Sequence, residues 1–541
     1  MSRPKVAIIN SSSDMAACFS HLDDIVPVLK QHLRDEGLLP FEVSTIAPSD
    51  FITSAGRGGR YVLPSRDLIV NSIEAIVEGA QLDGMICLSS CDKTAPAHMM
   101  AAGRLDIPTV IVSCGYQRNA LNEDGGADIE EVFLRASHGT QGNGGIDDLM
   151  ELSEDAIRGP GVCAGLGTAN SMHIAAEALG MAVSGSTPVR ANSAKMWQSV
   201  ASSAAALARL VKTNTTPRQV ITPESVENAV RVMLSIGASI NSVKHLQAIA
   251  REAGLTVDVW RLFRELGPKV PVLTAVRPNG PSRVEEFEDV GGAAVVLREL
   301  APQLHLDALT VDGGTLADCV KAAPAADGSV IAPYGSPMSD QPSIRIVRGN
   351  LAADGAIVKL PVLEERARSF SGPARIFHSR EEGIEALANG IVNAGDVVVL
   401  RGIGLVGGPG MGMASALVFA LDGSGLGDQV AVVTDGQLSG LVNKGIVVGE
   451  VSPEAATGGL IGLLQDGDLI DIDLDRGTVD ARLTADQIMA RPAFEPVDAV
   501  RTDGLLDTYR EVVTPLACGA VMCGVAAANG CSTGRGIHHG D

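Results

Sequence analysis

Short apolar runs alternating with helix-length amphipathic segments are what most limits the folds open to this chain. Val6–Asn10 (VAIIN), Phe41–Ile46, Gly84–Ser90 and Thr109–Ser113 each read as a strand, being brief, rich in aliphatic residues and closed by polar or turn residues. Between them, Leu22–Glu36 and a stretch from about Ser65 to Ala80 carry helical periodicity. That rhythm predicts a mostly parallel sheet covered by helices. Such sheets meet their ligands beyond the carboxyl ends of the strands. Here those positions hold Cys18, Asp50, the run Cys91-Asp92-Lys93 and Cys114, and a further thiol, Cys163, sits in GPGVCAGLGTANSM, which reads as a tight turn entering a helix. A thiolate, a carboxylate and an amine side by side suit two metals of different character. They equally suit a capped helix start, with Asp92 or Thr94 as N-cap and Cys91 in the core.

From Pro217 to about Ala301 the pattern is mainly helical, including SVKHLQAIAREAG, and residues 321–340 are rich in Pro, Gly, Ala and Ser. The texture then changes to short β-like runs (IRIV, AIVKL, DVVVL, QVAVVT, GIVVGEV, DLIDIDL, TVDARL) with only short helices between. The expected organisation is α/β: a helix-covered parallel-sheet domain over 1–340 and a β-barrel-like domain over 341–541. Gly402-Ile-Gly404-Leu-Val-Gly407 matches a dinucleotide fingerprint, but it runs into Gly408-Pro409-Gly410 instead of a helix, and the acidic residue ending the next strand, Asp435, comes too late. Nicotinamide binding there is disfavoured.

At 541 residues the chain is too long for one ordinary core, while 45% hydrophobic and 20% charged residues describe a buried globular protein. A net charge of -22 argues against nucleic acid or an anionic membrane as partner. No apolar run reaches the length of a membrane span, and the N-terminus lacks a signal-peptide core, so a cytoplasmic location is expected. Nine scattered cysteines then point to free thiols or metal ligands.

Several longer motifs carry a resemblance. NSSSDMAACFSHL around Cys18, CDKTAPAHMMAAGRLDIP around Cys91 and GPGVCAGLGTANSM around Cys163, with LPSRDLIVNSIE, RGNLAADGAIVK, GGPGM, TDGQLSG and VSPEAATGG, resemble the dihydroxy-acid and sugar-acid (phosphogluconate) dehydratase family over nearly the whole length. The resemblance implies an iron-sulfur cluster, 2Fe–2S or 4Fe–4S, on Cys18, Cys91 and Cys163, with one iron open to substrate. It implies Mg²⁺ on Asp50, Asp92 and Lys93, the lysine as a carbamate, and Ser439 as the base. The expected reaction removes water from a small 2,3-dihydroxy carboxylate to give a 2-keto acid, in a homodimer or homotetramer.

The chain also departs from that family pattern. Met413 follows GGPGM where the family has a Mg²⁺-binding Glu, Gln437 stands for an Arg, Cys114-Gly115-Tyr116 for Gly-Gly-Pro, and Glu450 for a His. Glu450 is the expected substitute carboxylate for the cation. The competing reading is a divergent cluster-binding homologue with altered lyase or isomerase activity, or with none.

Overall fold

The computed structural model describes residues 3–50, 56–118, 129, 131, 132, 135, 136, 145–364, 366–440, 442, 445–496 and 504–523. Strands β1 (Lys5–Asn10), β2 (Leu39–Ser44), β3 (Gly84–Ser89) and β4 (Thr109–Ser113) are all parallel, in the order β2-β1-β3-β4. Alternate residues serve two different cores. Ala7, Ile9, Met85, Cys87 and Ile111 face one cluster, whereas Val6, Ile8, Ile86, Leu88 and Val110 face the other. Burial on both faces is why β1, β3 and β4 are largely apolar, whereas β2, at the edge, is mostly exposed. Helices Leu22–Asp35 and Ala194–Thr213 cover one face, and on the other Cys91–Leu105 packs against Val62–Ala80, Thr168–Ala178 and Asn241–Glu252.

The second sheet contains β5 (Ile344–Val347), β6 (Gly355–Lys359), β7 (Ser369–Phe377), β8 (Val397–Leu400), β9 (Ala431–Thr434), β10 (Ile446–Ser452), β11 (Leu469–Asp473) and β12 (Thr478–Ala481). Their order is β12-β11-β7-β8-β9-β10-β6-β5, with β7 to β10 parallel and the remaining pairs antiparallel. Arg348, just past β5, bridges to Thr478 and exchanges 2.9 Å backbone hydrogen bonds with Gly477 and Val479. The sheet is therefore a nearly closed barrel filled by Val347, Val358, Val399, Val433 and their neighbours.

Strand β7 has no counterpart in the sequence reading. Its Gly372 and Pro373 look like a break, yet a Cβ on Gly372 would lie 2.0 Å from the Gly395 carbonyl oxygen, so only glycine fits where the two segments cross. The Gly402–Gly407 motif is followed by coil, and the next helix begins only at Ser415. Asp435 closes that loop by accepting hydrogen bonds from the Gly402 and Ile403 amides at 3.0 and 3.1 Å. The barrel docks on the first layer through Gly410 (φ +88°), where a Cβ would lie 1.7 Å from the Arg60 carbonyl oxygen. Cys518 is disulfide-bonded, against the expectation of a free thiol there. No helix among the described residues is long and apolar enough to cross a membrane.

Beneath the strand ends lies His98, fully buried, its Nδ1 2.8 Å from the Ser89 hydroxyl. Burial, and then His173, push its pKa down to about 3. Unfolded His98 takes a proton near pH 6.5, so between 6.5 and 3 the unfolded chain binds more protons and acid favours it. Chemical denaturation from pH 8 to 4 should show the wild type losing stability relative to His98→Asn below pH 6.5, with a slope approaching about 1.4 kcal/mol per pH unit. Parallel pH curves for the two proteins would exclude that role.

Candidate active site

Five side chains drawn from 146 residues of sequence line one cavity of about 750 Å³: Cys18, Asp50, Cys91, Asp92 and Cys163. Each follows from a strand end. Cys18 is in the loop leaving β1, Asp50 lies beyond β2, and Cys91 and Asp92 open the helix after β3. Cys91 itself has φ +38°, a left-handed backbone that turns the chain sharply out of the strand. The Ser90 hydroxyl ties this turn to the Cys18 carbonyl. The Cys163 loop is fixed in turn by Val162 N to Gly115 O (2.9 Å), Gly161 N to Ala17 O (3.2 Å) and Asn170 Nδ2 to Cys163 O (2.9 Å).

The barrel supplies the facing wall, including Met413, Ser415, Gln437 and Ser439. Ser439 stands in a turn whose amide donates to Ser415 Oγ at 2.6 Å, and a Cβ on the next residue, Gly440, would meet Ser239 Oγ at 2.3 Å. The rim cation, Arg380, is paired with Glu381 at 2.7 Å, and Ile384, Phe419 and Ala420 make that side apolar.

The polar floor is electrostatically tense. Lys93 is fully buried with Nζ 2.6 Å from Asp50 Oδ2; burial opposes its charge, but Asp50 and Asp92 hold its pKa above the ordinary value. Burial and the charge of Asp50 raise Asp92 to about 7, against Lys93 and hydrogen bonds from Thr168 and the Ala169 amide. Cys91 is held strongly protonated, first by its hydrogen bond with Cys18 and then by burial. Cys163, open to the cavity on one side, is pushed up by burial and by Asp92, Cys18 and Asp50. The expected helix-dipole help to Cys163 is thus outweighed. A thiol pair in contact, a third thiol, and a buried Asp50 Oδ1 with no partner among the described residues fit a group that brings positive charge. No three His, Cys, Asp or Glu side chains among the described residues are gathered to hold one isolated metal ion.

Glu450 is placed apart from the other candidate ligands. It does not line the cavity; it is fully buried behind it, with Oε1 bound by the Lys244 ammonium and Oε2 without a partner among the described residues. The partner lies 206 residues away, which no local pattern reveals. Thr168 and Asn241, both lining the cavity, were also missed. The sequence offered no signal for them: the helix NSVKHLQAIARE is rich in polar residues, and only the fold shows that Asn241 and Lys244 are buried.

Cys87 and Cys114 are buried core thiols, raised by burial alone, and neither reaches the cavity.

Residues 3–319 match the family model for the dihydroxy-acid/6-phosphogluconate dehydratase N-terminal domain, and residues 329–520 match the corresponding C-terminal domain. The chain is 36% identical over 526 residues to a dihydroxy-acid dehydratase of Methanococcoides burtonii, covering 96% of this chain and 95% of that protein. It is 38% identical over 525 residues to that of Methanothrix thermoacetophila and 37% over 528 residues to that of Dehalococcoides mccartyi strain 195, covering 96% of this chain and 94% of each relative.

Proposed function

The chain belongs to the dihydroxy-acid/6-phosphogluconate dehydratase family, and from that membership as a hydro-lyase we propose that it dehydrates a small 2,3-dihydroxy carboxylate with an apolar side chain to a 2-keto acid. The observation that carries this reading is the convergence of three thiols and two carboxylates, from separate strand ends, on a cavity faced by Ser439.

In the proposed site Cys18, Cys91 and Cys163 hold an iron-sulfur cluster, and Asp50, Asp92 and a carbamylated Lys93 hold Mg²⁺. When bound, these groups supply a Lewis acid for the departing C3 hydroxyl and charge stabilisation for the enolate. Ser439 takes the C2 proton, and because a hydroxyl is a weak base, it depends on a neighbouring cation to lower its pKa. The enol product then tautomerises to the keto acid. The apolar wall of Ile384, Phe419 and Ala420, with Arg380 already paired to Glu381, favours an alkyl side chain over the hydroxylated or phosphorylated tail of a sugar acid.

The test is a panel of 2,3-dihydroxy acids and sugar acids offered to the anaerobically reconstituted protein. A branched or other alkyl dihydroxy acid is expected to exceed every sugar acid in kcat/KM by about tenfold or more. A preferred sugar acid would overturn the apolar assignment, and no 2-keto acid from any member of the panel would overturn dehydration itself.

A further inference from the structure

Lys244 and Glu450 are both fully buried, and they join the helix Asn241–Glu252 of the first layer to β10 of the barrel. Glu450 holds φ +55° within an irregular stretch of β10, a backbone conformation that a non-glycine residue adopts at a cost. Two desolvated charges and a strained backbone are an expensive way to stabilise a fold, since a well-packed apolar pair generally serves as well. Geometry gives the pair a second task.

The Lys244 ammonium donates to Glu450 Oε1 and to Asn241 Oδ1. An ammonium has no acceptor, so the Asn241 amide must turn its oxygen toward Lys244 and its NH₂ the other way. Nδ2 then donates to Thr168 Oγ1 at 2.9 Å and to the Leu438 carbonyl at 3.3 Å. Ser239 Oγ also lies 2.9 Å from Thr168 Oγ1. Thr168 also stands beside the Asp92 carboxylate, whose ionised form it favours. Leu438 immediately precedes Ser439. One amide orientation therefore sets both a carboxylate on the cluster side and the turn that carries the base.

We propose that Lys244 and Glu450 are a positioning pair, whose charge locks the Asn241 amide and thereby fixes Asp92 and the Leu438–Ser439 turn relative to each other across the two layers. The inference rests on the reading that Asp92 binds the cation and Ser439 the C2 proton. Without the ammonium the Asn241 amide is free to flip, offering its oxygen to the Leu438 oxygen and to Thr168 in place of a donor. Thr168 then loses the hydrogen bond that orients it.

The experiment compares wild type with the uncharged double variant Lys244→Met/Glu450→Gln and with Asn241→Asp. The double variant leaves no unpaired buried charge, and Asn241→Asp keeps both the size of the side chain and its acceptor for Lys244. Two quantities are read on reconstituted protein: Mn²⁺ affinity without substrate, by electron paramagnetic resonance of the free ion, and kcat and KM for keto-acid formation. Both variants are expected to lose about tenfold or more in Mn²⁺ affinity and in kcat, with KM little changed and thermal midpoints near that of wild type. A double variant that melts like wild type and keeps both quantities would show the pair to be packing alone. Should the double variant fail to fold, Asn241→Asp decides in the same terms: retained Mn²⁺ affinity and kcat overturn the proposal. If wild type dehydrates nothing, the reading of function fails, while the Mn²⁺ comparison still decides this one.

Discussion

Cys91→Ser should emerge from anaerobic reconstitution with almost no iron or acid-labile sulfide and with kcat about a thousandfold down, because the Lewis acid for the leaving hydroxyl is worth several kcal/mol. Cys91 is 8% exposed, lies against the Cys18 thiol and begins a helix whose first turn is also held by the Thr94 hydroxyl. Serine keeps the size and hydrogen-bonding capacity at that position, so the apo-protein should fold, with a thermal midpoint close to that of wild-type apo-protein. The control is Cys87→Ala, four residues upstream in β3, where the thiol is packed inside a hydrophobic core and never meets the cavity. That variant should lose some stability, since a buried sulfur is removed, but retain its iron. Iron undiminished in Cys91→Ser would eliminate this residue as a ligand, and iron lost equally from Cys87→Ala would show that reconstitution is reporting on folding.

The contrast between those two cysteines also measures what a sequence can say. Strand periodicity alone would put Cys87 and Cys91 on the same face, but Cys91 has already left the strand: its φ of +38° breaks the alternation, and it lines the cavity where Cys87 does not. The parallel sheet was legible because burial on both faces leaves uninterrupted aliphatic runs, as it does in β6, β8 and β9 of the barrel, while β11 and β12 were legible from their alternation of apolar and polar residues. Strand β7 was not, since its glycine and proline report a close crossing with Gly395 that only the folded chain reveals. The cavity thiols and carboxylates were found through strand ends and through motifs long enough to be distinctive. The surroundings of Glu450 were not legible, because they include Lys244, a partner far along the chain. A buried carboxylate at a departure from a family pattern looks like a spare metal ligand until the opposing ammonium is located.

That ammonium has a consequence for how the cation is held. In the proposed cation site Met413 offers no oxygen donor and Glu450 lies behind the cavity against Lys244, so the burden falls on Asp50 and Asp92, which line the cavity, and on the buried Lys93 beside them. Asp92→Asn should therefore reduce Mn²⁺ affinity by about a hundredfold and kcat by at least as much. Asparagine is the same size and retains one oxygen for the Ala169 amide or the Thr168 hydroxyl, so the loss would reflect charge and ligation and not collapse of the helix start. Cluster content should stay at the wild-type level in this variant, which separates it from Cys91→Ser. Met413→Glu supplies the converse. A carboxylate restored on the barrel wall should tighten Mn²⁺ binding and recover part of what Asp92→Asn loses, because Met413 lines the same cavity from the opposite layer. If Asp92→Asn binds Mn²⁺ within twofold of wild type, the cation does not sit at this carboxylate, and the proton-transfer role given to Ser439 loses the neighbour on which it depends.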